Sequence, residues 1–180
     1  MDRTVTLRLR AEEGFGLLEL MISLVVLNIG ILAILAAFNS GGLALERASR
    51  TSTASVLADK HMELYRGVRY KAIGLNLATA TDASYQADPA CISPPSCSNI
   101  GPESPEVCPN TTLPEICIPS RVIDGPDGVS YRIDTYIRNV TPSSGGASGR
   151  PLKRVTVVAR RGSTLAGLAR ISSDFDAATG

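Results

Sequence analysis

The sequence predicts an α+β protein: one long N-terminal helix, membrane-suited in its first half, packed on a small antiparallel β-sheet head. Three observations carry that prediction. A nearly unbroken apolar run at residues 15–38 passes without a proline into an amphipathic stretch ending near residue 66. The middle of the chain is aperiodic, rich in Pro, Ser, Ala and Asn, and holds all 4 cysteines. The last third alternates apolar and polar residues with a period of two, the signature of half-buried strands. The 180 residues are enough for one ordinary domain and an anchoring segment.

The helix comes first in the chain. Only Glu19, Ser23 and Asn28 interrupt the apolar character of the 24-residue run 15–38, apart from the small Gly16 and Gly30. As a helix the run would extend roughly 36 Å, enough to cross a hydrocarbon core of about 30 Å. It has no polar face with which to sit at a soluble surface. Beyond it, Ala44, Ala48, Thr51, Ser55, Ala58, Met62 and Tyr65 recur at alternating spacings of four and three. Ala54, Leu57, His61, Leu64 and Val68 run beside that stripe. One helix of about 50 residues is therefore expected, with a bend near Gly41-Gly42 and its back half laid on the head. His61 on such a face reads as a packed residue rather than a ligand.

A signal peptide has a shorter apolar region, and a plain anchor does not account for Glu19, five residues into the run. A carboxylate in the bilayer costs on the order of 2.5–3.5 kcal/mol on insertion scales and marks a specific partner. The residues around it, Gly14-Phe15-Gly16-Leu17-Leu18-Glu19, resemble the processing motif of type IV prepilins and type II secretion pseudopilins. The following LMISLVVLNIGILAILAAF is similar to the long helix of that family, and its residues 28–32, Asn-Ile-Gly-Ile-Leu, resemble the PilV-type minor pilins. The match covers roughly residues 14–66. It departs from the family pattern at Gly16, where Thr or Ser is usual, and in lacking a proline near residue 36.

The resemblance implies a type IV pilin-like fold and a leader, residues 1–14, removed by a prepilin peptidase between Gly14 and Phe15. It implies N-methylation of Phe15 and an assembly role for Glu19. The implied product is a minor pilin, held in the inner membrane with its head outside the cytoplasm and then added to or priming a pilus fibre. Its partners would be other major and minor pilins, reached through the N-terminal helix. A minor pseudopilin of a type II secretion system is the alternative, and a membrane-anchored periplasmic binding or enzymatic domain a more distant one. The motif also has a physical logic of its own. Cleavage would expose an amine on Phe15, and pairing it with Glu19 would offset the cost of two charges in low dielectric.

The expected organisation is thus a leader at 1–14, a long helix at 15–68, and a head at 69–180. Within the head, residues 89–119 hold Cys91, Cys97, Cys108 and Cys117 among eight prolines. Prolines at that density oppose long helices and central strands. The cysteine gaps contain no C-x-x-C pair, and an even count outside the cytoplasm points to two disulfides whose pairing spacing does not decide. Three antiparallel strands are expected within 129–175, centred on Val129–Ile137, Val155–Ala159 and Ala169–Phe175. The acidic segment Asp124-Gly125-Pro126-Asp127-Gly128 reads as a turn into the first of them, because it lacks the further ligands of a calcium loop.

Composition excludes several functions. Lys plus Arg is 18 and Asp plus Glu 17, a net charge of +1, and aromatics are 4 % with no Trp. Neither a broad basic surface nor stacking platforms for nucleic acid are expected. With one histidine, no G-x-S-x-G and no nucleotide-binding glycine loop, the chain offers no nucleophile constellation. The sequence predicts no enzyme, no metal site and no cofactor.

Overall fold

The computed structural model describes residues 16–76, 82–92, 94, 97, 108, 114–144 and 147–178. They form an α+β arrangement in which the back of a long helix packs on a four-stranded antiparallel sheet. Helix α1 runs from Leu17 to Arg66, 50 residues, and continues without interruption through the Gly41-Gly42 pair. Contacts divide the chain into two units, residues 1–46 and 47–180.

In the first unit every described residue is exposed, and the mean hydropathy of the best 18-residue window is 2.7. The helix is therefore long and apolar enough to cross a membrane. Its backbone polar groups are satisfied within the helix, as a span in lipid requires. Asn28, a polar residue within that span, donates from Nδ2 to the Leu24 carbonyl at 2.9 Å, so its amide is partly paid for inside its own turn.

In the second unit, α1 contributes Ala54, Ala58, His61, Met62 and Tyr65 to the interior. These residues follow helical spacing, and the small alanines let the helix approach the sheet closely. Of the predicted stripe, Ala44, Ala48 and Thr51 are exposed, while Leu57, Leu64 and Val68 are half-buried. The core stripe therefore starts at Ala54, about three turns later than expected.

The sheet has four strands rather than three, in the order β1, β2, β5, β6: β1 is Ser120–Asp124, β2 Ser130–Val140, β5 Leu152–Arg161 and β6 Gly167–Asp176. The strand missed from sequence, β1, occupies the short proline-free interval between Pro119 and Pro126. Its five residues lie at the sheet edge, where flanking prolines are tolerated. The loop after β2 also carries a small hairpin, β3 (Ser143–Ser144) paired with β4 (Ala147–Ser148). All pairings in the main sheet are antiparallel, with Thr135 opposite Val157 and Val157 opposite Ile171.

The segment 124–128 is the turn joining β1 to β2. Gly128 has φ +70°, and a Cβ on Gly125 would lie 2.6 Å from the Tyr131 ring, so both positions need glycine. Asp127 accepts a hydrogen bond from the Val129 N–H at 3.2 Å and another from the Tyr131 hydroxyl at 2.5 Å. Its side chain closes the turn.

Tyr131, Ile133, Ile137, Val155, Val157 and Ala159 face the helix and form the main core with Met62, Tyr65 and Ile73. Burying each large side chain contributes about 1.5–3 kcal/mol relative to exposure. Lys153 points to the same side and is 2 % exposed. Its Nζ donates to the carbonyls of Ile73 (2.9 Å) and Tyr70 (3.1 Å) and lies 4.7 Å from the Tyr70 ring centroid. The lysine thereby ties β5 to the turn that follows α1.

The opposite face of β2 was expected to be the polar, solvated one. Instead, residues 131–137 are buried without a gap, because the segment beginning at residue 82 folds back over them. Helix α2, Ala83–Gln86, is capped by Asp82, which accepts from the Ser84 and Tyr85 N–H groups. The Tyr85 ring stacks on Tyr136 at 4.4 Å, and the Tyr136 hydroxyl donates to the Tyr85 carbonyl at 2.9 Å.

Candidate functional site

Of the residues singled out at the N-terminus, Gly14 and Phe15 lie outside the described residues. Glu19 lies in the first turn of α1, where its N–H donates to the Gly16 carbonyl at 2.9 Å. A carboxylate there is favoured by the helix dipole. Its side chain is exposed and makes no ion pair among the described residues. What surrounds it is an apolar surface, with Leu17 77 % and Leu18 72 % exposed.

The four cysteines form two bridges, Cys91–Cys97 and Cys108–Cys117. This is the sequential pairing among the three that the sequence left open. The first bridge packs with Tyr85, Tyr136 and Val158 on the outer sheet face. The second is anchored on the helix side, where the Cys117 carbonyl accepts from the Asn76 N–H at 2.8 Å and the neighbouring Ile116 carbonyl accepts from the Tyr65 hydroxyl at 2.7 Å. Each bridge thus staples one arm of the Pro-rich segment to a different layer of the head.

Between the first arm and the sheet lies a chain of charges that sequence reasoning missed. Asp134, fully buried, accepts from Arg132 Nε and Arg160 Nε, both at 2.8 Å, and from the Ser120 hydroxyl at 2.6 Å. Arg132 reaches on through Nη1 to Asp82 at 2.8 Å. Arg160 continues to Asp88, which also accepts from Arg170 Nη2 at 2.7 Å and from the Ala90 N–H at 2.8 Å. Three arginines meet three aspartates, so charge is matched in a place where an unmatched charge would be expensive.

Burial acts to raise the Asp88 carboxyl, but the Arg170 and Ala90 hydrogen bonds and the arginine charges prevail and hold it below the usual range. The Ser84 hydroxyl first, and then the Ser84 N–H and Arg132, bring Asp82 down to about 2. The sequence signal was present as the alternating Arg132, Asp134, Tyr136 of β2. It read as a solvated face because nothing in the sequence places residues 82–91 over it.

His61 is packed, as expected, and 2 % exposed. Its Nε2 lies 3.0 Å from the Thr135 hydroxyl, while Nδ1 has no partner among the described residues. Burial first, and the Arg121 charge second, lower its pKa from 6.5 to about 4, against a smaller opposing effect of Glu115. The imidazole is thus neutral in the fold, whereas the unfolded chain takes up a proton below about pH 6.5. Stability is expected to be complete above that pH and to fall as pH drops from 6.5 to 4, by on the order of 3 kcal/mol. Urea unfolding of the full chain across this window checks the sign, and His61→Gln should flatten the slope. An equal slope in the variant would assign the loss to another group.

The geometry defines a class: a disulfide-bonded α+β head continuous with a helix suited to crossing a membrane. The chain matches no protein-family profile, no curated protein and no solved structure.

Proposed function

We propose that the chain is a fibre subunit of the minor-pilin type, processed from a membrane-held precursor and assembled through its N-terminal helix. The observation that carries this reading is the order Gly14-Phe15, then Glu19, at the head of the apolar helix. Two features of the molecule support it. The helix exposes apolar residues around its whole circumference from Leu17 to Leu45, a surface that must be covered by lipid and, in a fibre, by neighbouring helices. The same helix continues into the core of the head, so the assembling segment and the folded unit would belong to one subunit. In this reading the membrane is the inner membrane, the partners are a prepilin peptidase and other pilins, and the chain performs no catalysis.

The test is the mature N-terminus. Mass spectrometry of membrane-extracted protein should find a chain starting at a methylated Phe15. Glycine at the cleaved bond leaves the backbone open to a peptidase, so Gly14→Glu should leave the leader attached and the subunit in the membrane. Mature-sized protein from Gly14→Glu, or a cut near Gly42, would instead favour a simple anchored or secreted domain.

A further inference from the structure

A groove of about 330 Å³ lies on the outer face of the sheet, with residues 89–90 as one wall. Its floor carries Arg138 of β2, Arg154 and Thr156 of β5, and Arg170, Ser172 and Asp174 of β6. The strand register places Arg138 directly opposite Arg154. Like charges in that position repel and lower sheet stability, so the pair is an unfavourable choice for the fold by itself.

The polar groups already committed are easily traced. Arg154 holds Asp174 in a two-point grip, Nε to Oδ1 and Nη2 to Oδ2, each 2.6 Å. That grip first, and the charges of Arg154 and Arg138 with it, keep the Asp174 carboxyl below its usual range despite some burial. Arg170 is engaged by Asp88. Thr156 and Ser172 share one hydrogen bond at 2.9 Å, which leaves one hydroxyl proton between them to donate. Arg138 makes no hydrogen bond or ion pair among the described residues. The groove is therefore rich in donors and positive charge, and its carboxylates are already occupied.

We infer that this groove binds an oxyanion, a phosphate or sulfate group, seated between the Arg138 and Arg154 guanidinium groups. Arginine is suited to such groups because its planar fork meets two oxygens at once. A bare oxyanion would fill only one end of the groove. The lining continues past Thr156 and Ser172 to Arg170, polar groups that would hold a polar carrier attached to the oxyanion, so the ligand class is a small phosphate or sulfate ester. The inference is independent of how the helix assembles.

Calorimetric titration of the full chain in a neutral maltoside detergent tests it, with inorganic phosphate, sulfate and glucose 6-phosphate as probes. Chloride holds the ionic strength constant, because exposed charges attract any anion weakly. Saturable phosphate binding displaced by sulfate is expected, weakened about tenfold or more by Arg138→Gln, the loss of one charged hydrogen-bonding partner. That substitution strands no partner and relieves the repulsion from Arg154, so urea unfolding should show a fold at least as stable as wild type, and the exposed Arg69→Gln should leave affinity unchanged. Glucose 6-phosphate should bind more tightly than phosphate, and equal affinity would overturn the ester assignment. No heat beyond that of chloride, or an Arg138→Gln protein that titrates like wild type, overturns the proposal.

Discussion

Replacing Glu19 by valine should leave a protein that is made, inserted and cleaved after Gly14 but is almost absent from fibres. The substitution makes the span more apolar, so insertion should improve if it changes at all. A simple anchor would tolerate it. In the proposed subunit, Glu19 offsets the charge of a Phe15 amine on a neighbouring helix, and its loss leaves that amine buried alone. Breaking one side of a buried pair costs about 3–5 kcal/mol, a hundredfold or more in an assembly equilibrium. Glu19→Asp should fall between the two, because the charge is kept and the reach is one methylene shorter. The measurement is the fraction of mature subunit in sheared fibres, with membrane levels as control. Full incorporation of Glu19→Val would remove the charge-pair account and leave the cleavage account standing.

The second large effect is expected in the head. Asp134→Ala should destabilise folding by about 3–5 kcal/mol, because Arg132 and Arg160 would both remain buried with one partner gone. Against a typical domain stability of about 5–15 kcal/mol, that is a large fraction. The variant should therefore unfold at much lower urea than wild type. Combining it with Arg160→Ala should cost less than the sum of the two single changes, since the second change removes a charge that the first had stranded. A loss below about 1 kcal/mol for Asp134→Ala would mean that solvent reaches the network and screens it.

This network also shows where reading the sequence falls short. Its alternation on β2 was legible, residue by residue, and led correctly to a strand with two unlike faces. The expectation that one face is wet rested on the local pattern, in which Arg, Asp and Tyr alternate with Tyr, Ile and Thr. The pattern is indifferent to what lies above it. Residues 82–91 cover that face because Asp82 caps α2, Tyr85 stacks on Tyr136 and the Cys91–Cys97 bridge packs beside them. The cap and the bridge are local to the covering segment, but the Tyr85–Tyr136 contact that seats it on the sheet joins residues 51 positions apart.

Elements with a local cause were the ones that sequence determined. The apolar helix follows from composition and length, the turn at 124–128 from glycine and aspartate chemistry, and β2, β5 and β6 from a period of two. The N-terminal motif likewise depends on adjacent residues, and it remains the basis of the functional reading. Tertiary structure decided the rest: the sequential cysteine pairing, the edge strand β1, the neutral state of His61, the burial of Lys153, and the convergence of Arg138, Arg154 and Arg170 on one groove. The cysteine pairing and β1 join near neighbours and turned on which of several local options the closed head accepts. The others depend on distance, burial or desolvation between segments that sequence order keeps apart, and such quantities exist only once the chain has closed on itself.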